Sequence, residues 1–297
     1  MRKTYALEAR GRRYVLGRKT WVMGILNVTP DSFSDGWSFR GPEEAAARGA
    51  KMIGEGADVI DVGGESTRPG ARPVPEAEEL DRVVPAIRAL RERTDALISV
   101  DTTKAAVARE ALAAGADIVN DVSALQFDPR MAEVVAASGA PVVLMHMRGT
   151  PETMQSLPAY ADLFGEISAF LAERIEAALA AGIPAERIIV DPGIGFGKTA
   201  EDNLALIDGL GFLEALDRPI LVGASRKEFI GKTLGLAPDD RLEGSLAAGV
   251  LSVARGAHIV RVHDVRSTRR AADMADAILS RGAAGLAREE GRDACRP

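Results

Sequence analysis

Cysteine, histidine and aromatic residues are scarce in this sequence of 297 residues. The chain has one cysteine, three histidines and only 4% aromatic residues. Cys295 has no second cysteine with which to form an internal disulfide. The sequence also contains neither paired cysteines nor a His-Glu-x-x-His pattern, so we expect no zinc site held by protein ligands alone. Because aromatic side chains are few, alanine, valine and leucine must fill most of the hydrophobic core.

The sequence also lacks an excess of basic residues and any long apolar run. Its formal net charge of −6 argues against a nucleic-acid partner, which would require a basic surface. No apolar run approaches the roughly 18 to 20 residues of a membrane span, and the first residues, Met1 to Tyr5, do not resemble the apolar core of a signal peptide. We therefore expect a cytoplasmic protein with neither a nucleic-acid partner nor a membrane partner.

What the sequence does contain is a repeat of eight short apolar segments rich in valine and isoleucine. Each segment stops at polar residues, and most are followed by a helix-like stretch, which is typical of parallel strands covered on both faces. The segments are Val22–Asn27, Val59–Gly63, Leu97–Asp101, Ile118–Val122, Val142–His146, Ile188–Asp191, Ile220–Ser225 and Ile259–His263. The repeat predicts an α/β fold, a TIM (β/α)8 barrel.

The predicted barrel accounts for most of the chain. We expect a single domain over residues 1–297, with its core at 20–281 and a frayed tail at 282–297, because no linker rich in proline, serine and glycine divides the sequence. Two strand-like stretches, Thr4–Leu7 and Arg13–Leu16, flank Gly11. They predict an N-terminal β-hairpin that closes the bottom of the barrel.

The polar residues at the strand ends are the candidates for chemistry. In a TIM barrel the carboxyl ends of all eight strands meet at one face, where the βα loops gather. The two long connections, Asn27–Gly41 and Gly63–Pro75, follow strands on this same face, and long ordered loops are usually functional. The residues expected at this rim are Asn27, Asp61, Asp101, Asn120, His146, Asp191, Ser225, Arg261 and His263.

The glycine-rich segment Asp191–Thr199 looks superficially like a phosphate-binding loop. It fails that pattern because Pro192 stands where the first glycine would be required. The Asp191 carboxylate can instead accept two parallel hydrogen bonds from the N–H and NH2 groups of a planar heterocycle. The alternative is that Asp191 only caps the adjoining turn.

Four further residues could hold an anion. Arg261 and His263 alternate along the last strand and so emerge on one face, where with Asn27 and Thr67 they could hold a doubly charged leaving group. Arg226 or Lys227, which follow the seventh strand, could add positive charge, and Lys227 could alternatively form a Schiff base. Oxygen ligands such as Asn27, together with substrate phosphates, suit Mg²⁺. We expect a structural role for His146.

Five segments of the chain, in the right order, resemble the signature segments of the dihydropteroate synthase family. They are Asn27–Gly36, Gly63–Gly70, Asp121–Ser123, Asp191–Lys198 and Ser225–Lys227. The resemblance covers essentially all of residues 20–280. It implies a transferase of folate biosynthesis, which condenses 6-hydroxymethyl-7,8-dihydropterin pyrophosphate with p-aminobenzoate to give 7,8-dihydropteroate and pyrophosphate.

The resemblance also implies roles for individual residues, four of them catalytic: Asp101, Asp191, Lys227 and Arg261. The pterin would be bound by Asp101, Asn120, Asp191 and Lys227. Pyrophosphate would be bound by Asn27, Thr67, Arg261 and His263, with Mg²⁺ at Asn27. The p-aminobenzoate would be bound by Phe33, Thr67, Arg68, Pro69, Phe196, Ser225 and Lys227, while Asp35 would help the first long loop to close. Sulfonamides, which mimic p-aminobenzoate, would compete for the same place.

The chain departs from the family at two positions, and rival functions exist. Trp37 stands where a second glycine is common, and Glu228 occupies a position that is serine or basic in other members. The rivals are an aldolase with a Schiff base at Lys227 or Lys198, a module that presents methyltetrahydrofolate to a corrinoid protein, and a homologue that merely binds pterin. A homodimer is implied by the resemblance, with Ser267–Ser280 as a candidate interface.

Overall fold

The computed structural model describes residues 2–29, 41–66, 71, 73–150, 152–154 and 160–293, with only the backbone described for 282–293. Two antiparallel strands form a separate N-terminal hairpin, β1 (Tyr5–Ala9) and β2 (Arg12–Leu16). Eight parallel strands follow: β3 (Trp21–Asn27), β4 (Val59–Gly63), β5 (Leu97–Asp101), β6 (Ile118–Asp121), β7 (Val142–Met145), β8 (Ile188–Asp191), β9 (Leu221–Val222) and β10 (Ile259–Val262).

Helices lie between the strands and after the last one. They are α1 (Pro42–Gly54), α2 (Glu76–Arg91), α3 (Ala105–Ala114), α4 (Met131–Ser138), α5 (Leu163–Ala180), α6 (Ala200–Asp208), α7 (Glu228–Leu234), α8 (Leu242–Ala254) and α9 (Val265–Asp293). Short 3-10 helices cover Ala185–Arg187 and Leu210–Leu216. Among the described residues, none of these helices is both long enough and apolar enough to cross a membrane.

The eight parallel strands close into a barrel in sequence order. Each strand pairs with the next from β3 to β8, and β10 pairs with both β9 and β3. The remaining gap between β8 and β9 is bridged at Val190 and Ile220, where the Val190 N–H also donates to the carbonyl of Pro219 at 3.0 Å. The predicted TIM barrel is therefore confirmed.

The hairpin covers the amino-terminal end of the barrel, as the sequence predicted. Leu7, Ala9 and Leu16 of the hairpin form one buried cluster with an apolar layer inside the barrel. That layer takes one residue or more from each barrel strand: Trp21, Met23, Val59, Leu97, Ile118, Val143, Ile189, Leu221 and Ile259. Because this end is filled with apolar side chains, ligands can reach the barrel interior only from the carboxyl ends of the strands.

Two Gly-Ala-Asp sequences, Gly56–Asp58 before β4 and Gly115–Asp117 before β6, connect neighbouring strands at this closed end through hydrogen bonds. The carboxylates of Asp58 and Asp117 accept hydrogen bonds from the backbone N–H groups of Val22 and Ile98, at 2.9 and 2.8 Å. Before β10, His258 takes the same place, and its Nδ1 accepts a backbone hydrogen bond at 3.1 Å. These acidic side chains lie far from the open face, so their role is structural.

The carboxyl-terminal helix extends into the region for which a frayed tail was predicted. That tail was predicted to begin at residue 282, and α9 continues to Asp293. Weak periodicity suggested a tail, whereas alanine, arginine and glutamate are strong helix formers and favour continuation of the helix. That the whole chain forms one domain stays a prediction.

Candidate functional site

Polar side chains form a ring inside the barrel, one pleat above the apolar layer. Three come from the neighbouring strands β4, β5 and β6, and two come from β8 and β10 elsewhere around the barrel: Asp61, Asp101, Asn120, Asp191 and Arg261. Successive side chains in a strand point to opposite faces, so residues two apart share a face. On each of these five strands, the residue of the apolar layer and the residue of the polar ring lie two or four positions apart. The strand ends predicted to converge are therefore brought together.

The partly buried guanidinium of Arg261 connects two carboxylates of this ring. Arg261 donates from Nε to Asp61 and from Nη2 to Asp101, with N–O distances of 2.6 Å in both ion pairs. Asn120 donates from Nδ2 to the same oxygen of Asp61 at 3.0 Å. Hydrogen bonds between ionised groups are stronger than neutral ones, and bidentate use of arginine fixes its orientation. The Arg261 guanidinium is consequently held across the open end of the barrel, at the carboxyl ends of the strands, which we call the mouth.

The charges in this ring perturb one another. Burial raises the pKa of the Asp101 carboxyl to about 7, in spite of the opposing effect of Arg261. Burial acts to lower the pKa of the Arg261 guanidinium, but the Asp61 and Asp101 carboxylates raise it, so Arg261 stays charged. Carboxyls whose pKa is raised by burial in a cleft are typical of functional sites. Burial and the Arg261 guanidinium therefore act on the pKa of Asp101 in opposite directions.

Asp191 lies on the far side of the ring from Asp61. Burial raises the pKa of its carboxyl to about 6, while the N–H of Gly193 and the positive charges of Lys227 and Lys198 act to lower it. The Gly193 N–H donates to Asp191 Oδ1 at 2.7 Å. Asp191 therefore does cap the turn that follows it, and this one hydrogen bond uses only one of its two oxygens. Its second oxygen leaves capacity for a ligand.

The turn after Asp191 needs its glycines. Gly193 and Gly195 have φ angles of 70° and 82°, in the left-handed region. A Cβ atom on Gly193 would lie 1.9 Å from the carbonyl oxygen of His146, and one on Gly195 would lie 2.9 Å from Lys227 Cδ. Only glycine permits this backbone conformation together with such close neighbours. The segment is thus a tight turn wedged between the loop after β7 and Lys227.

Lys227 and Phe196 meet above this turn. The Lys227 ammonium lies 3.9 Å from the centroid of the Phe196 ring, a cation–π arrangement. Phe196 also belongs to a small apolar cluster, whose other members are Val122, Met145, Met147 and Met154. One wall of the mouth is therefore apolar, and it carries a fixed positive charge at its edge.

Ser225 and His263 meet on the adjoining side of the mouth. The Ser225 hydroxyl lies 3.1 Å from His263 Nδ1 and accepts from the His263 backbone N–H at 3.2 Å. The neighbouring Arg226 donates from Nε and Nη2 to both oxygens of Asp264, at 2.9 and 2.6 Å. The sequence left open whether Arg226 or Lys227 adds charge to the site. The bidentate pair engages the Arg226 guanidinium, so Lys227 is the better candidate.

Asn27 lies at the end of β3, close to the ring. A Cβ placed on Gly63 would lie 3.8 Å from Asn27 Oδ1 and 3.7 Å from Asp101 Oδ2, so both oxygens border the same small space. In the part of the chain that the structure describes, no three histidine, cysteine or acidic side chains come together as a metal site. The other predicted site residues, Phe33, Asp35, Thr67, Arg68 and Pro69, lie outside the described residues.

Lys198 is buried behind the turn and does not reach the mouth as a free amine. Its ammonium lies 3.0 Å from both His146 Nδ1 and the carbonyl oxygen of Phe196. The His146 ring packs edge-on against Phe170, and burial lowers its pKa to about 2, so the ring is neutral and accepts from Lys198. The structural role predicted for His146 agrees with this packing. Because protein acceptors surround its amine, Lys198 is a poor candidate for a Schiff base.

The buried position of Lys198 predicts a pH-dependent stability. Burial lowers its pKa to about 7 from the ordinary lysine value of 10.5. Between these two values the unfolded chain binds more protons, so the free energy of unfolding should rise with pH by up to about 1.4 kcal/mol per pH unit. We expect this rise to be absent in Lys198→Met when urea denaturation is compared at pH 7, 8 and 9. The exposed Lys232→Met should keep the wild-type slope, and an unchanged slope in Lys198→Met would contradict the assignment.

Sequence reasoning missed the part that Asp61 plays. Asp61 was among the polar strand ends, yet no role was assigned to it. The signal was present, because Asp61 lies two residues before the end of β4 and so shares the inward face with Val59. A fully buried carboxylate at such a position requires a partner, but the sequence could not show that the partners are Arg261 and Asn120.

Comparisons with known proteins agree with this geometry. The model of a family described as "Pterin binding enzyme" matches residues 23–263. The dihydropteroate synthase of Synechocystis is 50% identical over 263 residues, which cover 88% of this chain and 91% of that protein. The crystal structure of Yersinia pestis dihydropteroate synthase with a sulfonamide drug complex has a TM-score of 0.88 and 46% identity, over 93% of this chain and 99% of that one. The Xanthomonas albilineans dihydropteroate synthase with 4-aminobenzoic acid has a TM-score of 0.86, again with 46% identity over 93% and 99% of the two chains.

Proposed function

The chain belongs to the dihydropteroate synthase family, and we propose that it condenses 6-hydroxymethyl-7,8-dihydropterin pyrophosphate with p-aminobenzoate. The observation that carries this proposal is the inward ring of Asp101, Asn120, Asp191 and Arg261 at the open end of the barrel. Acidic and amide groups face a cation across one small space, as a heterocycle with a charged leaving group requires. The products would be 7,8-dihydropteroate and pyrophosphate.

The pterin would bind deepest in the barrel. Asp191 offers a carboxylate to the N–H and NH2 edge of the pterin, and Asp101 and Asn120 reach the pterin from the opposite side. Lys227, held over Phe196, can donate a hydrogen bond to an acceptor atom of the pterin. Each of these groups is held by its neighbours before the substrate arrives, which lowers the cost of ordering the site on binding.

The chemistry would begin with departure of pyrophosphate. Arg261 can neutralise the charge that develops on the leaving oxygen as the carbon–oxygen bond breaks, and the electron pair of that bond leaves with pyrophosphate. The carbon left behind is a cation delocalised into the pterin ring. Asp101 and Asp191 lie where negative charge stabilises it. The aryl amine then attacks this carbon and loses a proton, so no strong general base is needed.

The second substrate would bind nearer the surface. Phe196 and the methionines around it offer an apolar wall for the aromatic ring, while Lys227 and Ser225 lie at its edge. Thr67, Arg68, Pro69 and Phe33, which the family resemblance also assigns to p-aminobenzoate, lie outside the described residues. Their assignment stays a prediction, as does the part of Asp35 in loop closure. Thr67, His263 and Asn27 are proposed to contact pyrophosphate together with Arg261.

Magnesium fits the site as an ion held mainly by the substrate. Mg²⁺ usually keeps water ligands and takes few protein oxygens when phosphates complete its shell. Asn27 supplies one such oxygen beside Asp101, and the described residues form no separate cluster of acidic, histidine or cysteine ligands. When bound, the ion would neutralise pyrophosphate charge. We expect chelation by EDTA to weaken binding of pyrophosphate, measured by calorimetry, and to leave binding of a pterin without phosphates unchanged.

One assay tests the proposed function against its rivals. Pyrophosphate release should require both substrates, and a sulfonamide should inhibit it in competition with p-aminobenzoate. A protein that only binds pterin would release no pyrophosphate. An aldolase would be trapped on Lys227 by borohydride with a ketose phosphate, and a methyltetrahydrofolate module would bind that compound instead. Absence of pyrophosphate release in the complete assay would refute the proposal.

We further propose that the protein is a homodimer through the outer faces of α8 and α9. Leu251, Met274 and Ile278 are 52%, 62% and 60% exposed, and the two helices pack side by side. Large exposed apolar side chains on two packed helices favour an interface at that surface. We expect Leu251→Asp combined with Ile278→Asp to convert a dimer into monomers in sedimentation velocity. Leu204→Asp, at an exposed leucine on α6, should leave the dimer intact, and a monomeric wild type would contradict the proposal. The cytoplasmic location stays a prediction.

A further inference from the structure

Asp61 has an unusual set of contacts for a buried carboxylate. It is fully buried on β4, and a single oxygen, Oδ2, accepts from both Arg261 Nε at 2.6 Å and Asn120 Nδ2 at 3.0 Å. Its other oxygen, Oδ1, is buried and accepts no hydrogen bond from any residue within the described part of the chain. One atom of Asp61 therefore joins two residues on strands at different places around the barrel.

Burying the Asp61 carboxylate in this way costs free energy of folding, so stability alone does not account for it. Removing a charge from water costs several kcal/mol unless its hydrogen-bonding capacity is met, and apolar residues of similar size often serve as well or better in a core. The residues beside Asp61 in the sheet include Ile25 on β3, which fills the same layer with an apolar side chain. A half-satisfied carboxylate at this depth points to a role in the site.

Arg261 is shared between two carboxylates that differ in position. Asp61 is fully buried, whereas Asp101 is slightly exposed and lies closer to the open end of the barrel. A pterin that binds Asp101 must draw on the same carboxylate that pairs with Arg261. The ion pair with Asp61 can persist when this happens, because Asp61 lies beneath the ligand space.

We propose that Asp61 is a positioning residue, which holds the Arg261 guanidinium and the Asn120 amide in a fixed relation through one oxygen. The inference rests on the proposed function, in which Asn120 contacts the heterocycle and Arg261 contacts the leaving group. Asp61 would thereby align the two ends of one substrate. It touches neither substrate itself, and it acts only through its two partners.

The test is a double-mutant cycle with Asp61→Asn and Arg261→Met, measured by pyrophosphate release with both substrates. Asp61→Asn should lower kcat on the order of 100-fold, as misplacement by about 1 Å can do, and should leave KM for p-aminobenzoate within about twofold. In the Arg261→Met background the same substitution should change kcat less than about threefold, because Arg261 is already gone and only the action through Asn120 remains.

Ser99→Ala provides a matched control. Ser99 lies directly opposite Asp61 on β5, is equally buried, and has a hydroxyl for which the described residues provide no partner. Its kcat should stay within about twofold of wild type. If Asp61→Asn does not fold, Asp61→Ala, with formate added to replace the carboxylate, carries the same comparison, and recovery of kcat with formate is expected.

Two results would overturn the inference. An Asp61→Asn enzyme with wild-type kcat would show that Arg261 needs no such anchor, and an equal loss in the presence and absence of Arg261 would show that Asp61 acts by another route. The activity of the wild type separates these results from a failure of the proposed function. An active wild type together with an Asp61→Asn variant of unchanged kcat refutes only the inference. An inactive wild type refutes the proposed function and the inference with it.

Discussion

Asp191→Ala is expected to abolish pterin binding. The substitution removes the acceptor for two parallel donors of the heterocycle and leaves those donors unpaired in a buried site. Hydrogen bonds to a charged group contribute about 1.5 to 3 kcal/mol each, so the loss of two should weaken binding by at least roughly 100-fold. Titration calorimetry with a pterin that lacks phosphates measures this directly. The exposed Asp208→Ala should bind with wild-type affinity.

Asp191→Asn separates the two roles of this residue. An asparagine still accepts from the Gly193 N–H, which Asp191 binds at 2.7 Å, but it presents an NH2 group where the ligand needs an acceptor. If recognition of the heterocycle is the main role, Asp191→Asn should bind pterin almost as poorly as Asp191→Ala. Restored pterin affinity in Asp191→Asn would instead show that the residue serves only as a cap for the turn.

Arg261→Met should produce the largest fall in turnover. Removing a single preorganised donor from the developing charge of a transition state costs about 100- to 1,000-fold in kcat. The variant should also lose affinity for pyrophosphate far more than for a pterin without phosphates. Calorimetry with the two ligands separately gives this comparison. Equal losses for both would argue that Arg261 supports the whole site and does not bind the leaving group.

The stability of Arg261→Met must be measured beside its activity. The substitution leaves Asp61 and Asp101 buried without their cation, and breaking a buried ion pair by removing one partner costs about 3 to 5 kcal/mol. Arg261→Lys keeps the charge but lacks the planar fork that serves both carboxylates. It should therefore recover stability more than turnover. Recovery of full turnover by lysine would show that charge alone suffices.

The residues of the ring could be predicted from the sequence, but their mutual pairing could not. Asp101, Asn120, Asp191 and Arg261 each end an apolar run, and parallel strands necessarily bring those ends to one face. The clamp of Arg261 by Asp61 and Asp101 joins residues 160 and 200 positions apart. Such a pairing depends on which inward positions lie at the same height in the closed barrel.

The two basic residues after β9 are a second case in which the sequence supplied the candidates and only the fold determined their partners. The sequence marked both Arg226 and Lys227 as candidates for an anion, since both follow a strand end. In the fold, Arg226 pairs with Asp264 while Lys227 lies over Phe196. The choice depends on the direction in which the backbone leaves the strand, and on partners that lie on other loops. Local sequence contains neither.

The sequence by itself determined the barrel and the end at which its chemistry lies, because the spacing of apolar runs and polar stops follows from the geometry of a single strand. The tertiary structure alone decided which buried charges neutralise one another, which lysine faces the open mouth, and that Asp61 pairs with Arg261 and Asn120. These depend on distances across the barrel, and electrostatic interactions between buried groups change steeply with distance and burial. A strand specifies which way its side chains point, while only the closed sheet specifies what they meet.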